Sequence, residues 1–306
     1  MSKERDQYIQ GIISKQVYID HMFGMHSTLF AYPAIIAETD ISEITIREDG
    51  VVFTTEPEGI KLFCTKPDKR TAPFEIMNFG KYEAGDADML LSLISDDDTV
   101  FDIGANIGWY SILMTKKKQG VQVYSFEPVP ATFSALEKNL LLNNTDRVTA
   151  FNHGFSNTDT ILSFYSSADT SVSSSAVNIT GEENPVMTQC TVKRLDDFCS
   201  ENSIFPDVIK CDVEGAELLV FQGGINMIAE KKPAIFTEML RKWAAKFDYH
   251  PNDVIALLGI AGYSCFVNDG PGKLKRIDTL TDETVETNFC FLHPGKHEAL
   301  INTHAS

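Results

Sequence analysis

The stretch "TVFDIGANIGWYS", residues 99–111, constrains the fold more than any other part of this chain. An apolar strand end runs into Asp102, Gly104, Asn106 and Gly108, and then into residues with helical character. A strand that delivers a glycine-rich turn onto a helix N-terminus is the usual cofactor cradle of α/β proteins. Around it, helix 86–94, strand 99–103, helix 108–117, strand 121–127, helix 130–142 and strand 147–153 follow in order. Later come strand 207–212, helix 215–229, strand 233–238, helix 251–261, and strands 263–268 and 288–293. Strands alternating with helices of about 10–15 residues predict βαβ crossovers and a mostly parallel sheet. Two strands close the chain with no helix between them, so the last is expected to run antiparallel at or near the sheet edge.

The first 80 residues have another texture. Ile9, Ile12, Ile13 and Val17 fall at helical spacing within 5–23. Segment 43–65 alternates and is broken by Asp49-Gly50 and Pro57-Glu58-Gly59, which predicts a small antiparallel meander with tight turns. The expected division is an N-terminal helical and β-hairpin extension, 1–80, before a main domain, 81–306. The extension would cap a substrate site or form a homodimer contact. Segment 155–190 contains "YSSADTSVSSSAVNITGEENP", poor in apolar residues and flanked by alternating stretches. It is expected to be a β-excursion carrying a long loop, either a lid or binding loop or simply a mobile connection.

Composition narrows the function classes. Lys and Arg number 26 against 43 Asp and Glu, a net charge of −17. Such a chain repels phosphate backbones unless it hides a basic patch. The one dense basic cluster, Lys116–Lys118, falls at a predicted helix C-terminus, where the helix dipole accounts for it. Nucleic acid is therefore not an expected partner. No stretch approaches the ~20 apolar residues of a spanning helix, and "MSKERDQYIQ" lacks the apolar core of a signal peptide. A cytoplasmic location is expected. The six cysteines form no C-x-x-C pair, which leaves neither a zinc site nor a dithiol centre in view.

The turn itself discriminates among cofactors. The pattern is D-x-G-x-N-x-G rather than the dinucleotide G-x-G-x-x-G. Outside glycine, asparagine best tolerates positive φ, so the loop can still turn at Asn106. Its side chain occupies space a pyrophosphate would need, and a carboxylate at Asp102 would repel phosphate. A phosphate-free cofactor with positive charge and an amino-acid tail suits this loop, and S-adenosyl-L-methionine has a sulfonium, an ammonium and a ribose. Glu127, 25 residues after Asp102, ends the next strand in "VYSFEPVPATF". An acidic residue about 20 residues beyond such a turn can accept both ribose hydroxyls. In "DVIKCDVEGAELLVFQGG", Asp212 ends a third strand, with Glu214 and Glu217 just beyond and Glu238 on the same sheet edge. Crowded carboxylates raise one another's pKa toward the range of a useful base. Equally, Glu214 and Glu217 could serve a helix N-terminus.

Taken in order, "KYEAGD", "VFDIGANIGWYS", "FEPVPATFSALEKNLLLNN", "LDDF" and "IKCDVEGAELLVFQGG" resemble the FkbM-type methyltransferases, a branch of the class I S-adenosylmethionine-dependent enzymes. The resemblance spans roughly residues 80–240. It implies a Rossmann-like α/β fold, a mostly parallel seven-stranded sheet with an antiparallel last strand. It also implies methyl transfer, most often to a hydroxyl of a sugar, glycan or small natural product. Carried onto this chain, Asp102, Gly104, Ala105, Asn106 and Gly108 would hold the methionine end of the cofactor. Glu127 would take the ribose, with Pro128 beside the adenosine, Phe155 and Ser156 near adenine, and Glu83 near the cofactor mouth. Asp212 would face the sulfonium and the acceptor.

For catalysis, Asp212 or Glu214 is the expected base, with His153 a rival and Mg²⁺ held by Asp212 and Glu238 a third route. The acceptor is expected to be a small molecule or carbohydrate. N-methylation, a nicotinamide-dependent oxidoreductase and a non-catalytic methyltransferase-fold binding protein remain the alternatives.

Overall fold

The computed structural model describes residues 3–65, 69–166, 176, 186–270 and 272–304. Half of segment 155–190, residues 167–175 and 177–185, lies outside the described residues, and any lid role with it. The chain opens with α1 (Lys3–Ile9), α2 (Lys15–Ser27) and α3 (Tyr32–Ala37). The single helix expected over 5–23 is thus two. Gly11 takes a left-handed φ of 71°, and the Ser14 side chain caps α2 by accepting from the Val17 N–H at 3.2 Å.

The meander follows as expected, with β1 (Ile41–Arg47), β2 (Gly50–Thr55) and β3 (Lys61–Cys64) antiparallel in that order. Two short helices, α4 (Ala72–Phe79) and α5 (Ala84–Leu93), lead into the α/β region; α4 was not foreseen. There β4 (Thr99–Ile103), α6 (Trp109–Lys117), β5 (Gln122–Phe126), α7 (Pro130–Asn143) and β6 (Val148–Phe151) form right-next-door parallel pairs. The excursion is real: β7 (Gly154–Phe155), β8 (Thr160–Ser166) and β9 (Val186–Lys193) make a separate three-stranded sheet.

The chain continues through α8 (Leu195–Asn202), β10 (Val208–Cys211), α9 (Glu217–Gly223), α10 (Ile225–Lys231) and β11 (Ala234–Glu238). The helix expected over 215–229 is broken at Gly223-Gly224. A Cβ on Gly223 would stand 2.1 Å from the Ser156 carbonyl oxygen, and one on Gly224 2.6 Å from Leu195. Then come α11 (Arg241–Ala244), α12 (Pro251–Ile260), β12 (Ser264–Asn268), β13 (Leu274–Ile277), β14 (Asn288–Leu292) and α13 (Pro294–His304). Neither β13 nor α13 was expected.

The main sheet runs β13-β12-β14-β11-β10-β4-β5-β6. It contains the expected seven strands, and β13 adds an eighth at the edge, antiparallel to β12. The antiparallel final strand is there too, near the edge as expected, where β14 is inserted between β11 and β12. Its Phe289, Cys290, Phe291 and Leu292 are all buried, and an unbroken apolar run is the mark of a strand covered on both faces.

Two cores sandwich this sheet. One gathers Leu90, Val100, Ile112, Leu136 and Phe236; the other gathers Phe101, Phe126, Phe198, Phe221 and Phe291. The meander is tied to the sheet domain by two asparagines of α7. The Lys61 N–H donates to Asn143 Oδ1 at 2.9 Å and Asn143 Nδ2 donates back to the Lys61 carbonyl at 2.7 Å. Asn139 Oδ1 accepts from the Phe63 N–H at 2.7 Å. Side-chain amides thereby satisfy an edge that would otherwise invite another strand. Among the described residues no helix is long and apolar enough to cross a membrane.

Candidate active site

The site forms where β4, β5, β10 and β11 end side by side, the edge at which open α/β sheets bind ligands. The turn after β4 carries three consecutive demands on backbone conformation. Gly104, Asn106 and Gly108 have φ of 78°, 49° and 90°. Gly104 is obligatory for a second reason: its Cβ would lie 1.8 Å from the Asp212 carbonyl oxygen. The turn is clamped from the next strand. The Gly104 and Ala105 N–H groups both donate to the Phe126 carbonyl at 3.0 Å. The Asn106 N–H donates to Glu127 Oε2 at 3.1 Å, and the Val129 N–H donates to Glu127 Oε1 at 2.9 Å. Burial pushes the Glu127 carboxyl up to about 7, while those two backbone donors pull the other way.

Behind the turn lies a buried ionic knot. Lys210 is the one charged residue in β10, whose four residues are all buried. Its ammonium donates to the Gly104 carbonyl at 2.9 Å and stands 3.3 Å from Asp102 Oδ1 and 3.6 Å from Asp212 Oδ2. Burial alone would lower the Lys210 pKa, but Asp102 and Asp212 outweigh it and raise it above the usual lysine range. Ser111 donates to Asp102 Oδ2 at 2.5 Å. Asp102 is therefore committed to the protein interior, at 0% exposure, and is absent from the described residues of the cavity wall. The expectation that its carboxylate stands at the cofactor's side is corrected on that point: its charge reaches the site through Lys210.

The cavity has a volume of about 440 Å³, within the ~300–1,000 Å³ typical of small-ligand sites. Of the expected residues, Glu83, Gly104, Ala105, Asn106, Glu127, Pro128, Phe155, Asp212 and Glu214 all line it. Gly108 and Ser156 do not. Gly108 starts α6, where a Cβ would meet Leu136 at 2.5 Å; the Ser156 N–H pairs with the Lys193 carbonyl at 2.9 Å. Glu217 is also turned inward. Its Oε1 accepts from the Val213 and Gly215 N–H groups, both at 3.1 Å, and its Oε2 accepts from the Tyr249 hydroxyl. It organises the turn that presents Glu214, which itself has a left-handed φ of 54°.

Four carboxylates converge on the far wall: Glu83, Asp212, Glu214 and Glu238. Glu83 accepts from the Tyr110 hydroxyl at 2.7 Å. Burial, reinforced by Asp212, raises the pKa of both Glu214 and Glu238. Parallel pairing of Cys211 with Thr237 puts Asp212 and Glu238 at neighbouring strand ends. Even so, no group of three or more His, Cys, Asp or Glu among the described residues is placed to hold a metal ion, so the Mg²⁺ route finds no support. His153 is packed among Phe126, Phe151, Phe155 and Phe198, and burial lowers its pKa. It is absent from the described cavity wall, and its Nδ1 lies 3.2 Å from the Gly154 carbonyl.

Lys210, Tyr82, Tyr110, Trp109 and Trp243 belong to the site or its support but were not singled out from sequence. Lys210 had a legible signal, because a lone cation in an apolar strand demands buried carboxylates. The wall fits a phosphate-free cationic cofactor: its carboxylates outnumber its cations near the turn, and its buried cation is already neutralised. Asn106 Oδ1 and Trp109 Nε1 are buried without a hydrogen-bond partner among the described residues, a cost that a polar ligand in this cavity can relieve.

Comparison with known proteins adds a family match. Residues 102–265 match the family described as the Methyltransferase FkbM domain. "Methyltransferase 1" of Beauveria bassiana is 32% identical over 146 residues, covering 42% of this chain and 59% of that protein. "Hexuronic acid methyltransferase AglP" of Haloferax volcanii is 31% identical over 147 residues, covering 46% of this chain and 55% of that protein. The chain thus spans somewhat more than half the length of these relatives. Among solved structures, methyltransferase FkbM from Methylobacillus flagellatus overlaps 65% of this chain and 44% of its own, at 20% identity and a TM-score of 0.41. With the family match covering more than half of its residues, the turn, the Glu127 clamp and the Lys210 knot all within it, the chain belongs to the FkbM methyltransferase family.

Proposed function

We propose that this protein is an S-adenosyl-L-methionine-dependent methyltransferase acting on a hydroxyl oxygen of a sugar, glycan or other hydroxylated small molecule. The observation that carries the proposal is the single cavity shared by the Gly104–Asn106 turn, Glu127 and the Asp212–Glu214 wall. The relative described as acting on a hexuronic acid supports a carbohydrate acceptor.

S-Adenosyl-L-methionine supplies an electrophilic methyl group on a sulfonium. Gly104, Ala105 and Asn106 receive the amino-acid end, and Glu127 the ribose hydroxyls, with Pro128 and Phe155 against the adenosine. Glu127 is held rigid by two backbone donors, so its remaining lone pairs are fixed before a ligand arrives. The carboxylates of Asp212 and Glu214 favour positive charge nearby, and one of the two takes the proton of the acceptor hydroxyl. A positioned base of this kind contributes ~10²–10⁴-fold, and alignment of acceptor and methyl carbon supplies the rest. Residues 1–80 form the acceptor-side extension in this scheme, because Arg70, Thr71, Glu75 and Phe79 contribute to the cavity wall.

A thermal-shift comparison followed by labelled methyl transfer tests the proposal. Saturating S-adenosylmethionine and S-adenosylhomocysteine should each raise the melting temperature by ~5 °C or more, and NAD should not. Labelled methyl should then pass to at least one member of a panel of sugars and hydroxylated metabolites. Stabilisation by NAD alone would make the protein an oxidoreductase. Label only on amines would move the reaction to nitrogen, and cofactor binding with no transfer would leave a binding protein.

A further inference from the structure

The helical hairpin over residues 3–37 has an apolar surface that the other described residues do not cover. None of the residues of α1, α2 or α3 is fully buried. Ten of the nineteen large apolar side chains exposed among the described residues fall between Tyr8 and Tyr32, including Ile12 at 64%, Phe23 at 71% and Phe30 at 84%. The hairpin is nevertheless a formed unit, since Tyr8 and Tyr18 stack at 5.1 Å and His21 lies 3.6 Å from Glu4.

We infer that this hairpin is the pairing surface for a second copy of the same chain. Three observations select that occupant. Ten exposed large apolar side chains within the 25 residues from Tyr8 to Tyr32 form the kind of apolar concentration that marks an interaction surface. Charge points the same way. Within residues 1–37, Lys3, Arg5 and Lys15 balance Glu4, Asp6 and Asp20, so the whole net charge of −17 falls on the remainder. The net charge of two such acidic bodies is repulsive, and a neutral arm is a surface where that repulsion is least opposed to contact. An anionic lipid surface would instead call for a basic excess. Finally, at about 100° per residue, Val17, Ile19, Phe23 and Met25 point to all sides of α2. A lipid-surface helix gathers its apolar side chains on one face, whereas α2 distributes apolar and polar residues around its axis and is not such a helix. Two arms related by a two-fold axis enclose each other with one self-complementary contact.

The arm joins the body at the cavity rim. The Asp40 N–H donates to the Gly80 carbonyl at 2.8 Å, and Phe79 and Lys81 on either side of Gly80 line the cavity.

Light scattering on the full chain, across a concentration series reaching about 50 µM, tests the inference. The wild type should show twice the mass of one chain. Phe23→Ser with Phe30→Ser should weaken association at least ~100-fold and give one-chain mass, because central aromatics dominate such contacts. The melting temperature of the diluted monomer should not change, since neither side chain is buried in its own chain. Ile260→Ser, at an exposed site on α12, should leave the dimer intact. A wild type at one-chain mass throughout, or a dimer indifferent to the arm substitutions, overturns the inference. So does a monomer that floats with phosphatidylcholine vesicles through Phe23 and Phe30, which would assign the arm to lipid.

Discussion

The ammonium of Lys210 lies 3.3 Å from Oδ1 of Asp102, and both side chains are almost wholly shut off from water. Removing one partner of such a pair is costly because it strands the other charge. Lys210→Met should lower the unfolding free energy by ~3–5 kcal/mol, measured by urea denaturation. Asp102→Asn combined with Lys210→Met should recover part of that loss, since the stranded carboxylate is gone. A single variant costing under ~1 kcal/mol would show that the knot contributes little.

The turn resting on this knot depends on Gly104 for want of space as well as for its φ. A Cβ there would stand 1.8 Å from the Asp212 carbonyl oxygen. Gly104→Ala should cost ~3 kcal/mol or more, combining overpacking with left-handed strain. S-Adenosylhomocysteine affinity, measured by calorimetry on the folded fraction, should fall with it. Wild-type stability and affinity in this variant would mean the strand ends part easily.

Glu217 supplies a pH test that does not depend on the acceptor. Burial raises its carboxyl to about 7, against an ordinary glutamate in the unfolded chain. The folded state then holds the proton more tightly, so this group's stability is full below about pH 4.5 and is lost as pH rises through about 7. Glu217→Gln keeps an oxygen for the Val213 and Gly215 N–H groups and cannot titrate. The fall in melting temperature between about pH 4.5 and 7 should be shallower in the variant than in the wild type. Glu127, raised in the same direction, should leave part of the slope in place. Parallel pH profiles for both proteins would remove Glu217 as a source of the dependence.

What sequence conveyed depended on whether the physics was local. Positive φ at Asn106, the strand ends at Asp102, Glu127 and Asp212, and the meander turns all follow from neighbouring residues, and the structure bears them out. Long-range facts were hidden. Asp102 looked like a mouth residue because nothing local reveals that Lys210, 108 positions later, neutralises it from the adjoining strand. The Gly223-Gly224 break depends on Ser156 and Leu195 pressing against α9 and α10. The place of β14 one strand in from β12 agrees with its unalternating "NFCFL", which is buried on both faces. Tyr82 and Trp109, 5.7 Å apart between ring centroids, meet only once the turn between α4 and α5 packs against α6.

The base assignment can be separated from cofactor binding. Asp212 and Glu214 both line the cavity, and Glu214 is raised above the usual carboxylate range by burial and by Asp212. A base must be unprotonated, so turnover should climb with pH through a value above that of an ordinary glutamate. Glu214→Gln should abolish this limb and lower kcat by ~10²–10⁴-fold, while S-adenosylhomocysteine affinity stays within ~3-fold. Asp212→Asn removes a charge from the Lys210 knot as well as from the wall, so both kcat and cofactor affinity should fall. If Glu214→Gln keeps full turnover and the wild-type pH limb, the proton goes elsewhere. Glu238, at the neighbouring strand end and raised by the same burial, is then the carboxylate to replace next.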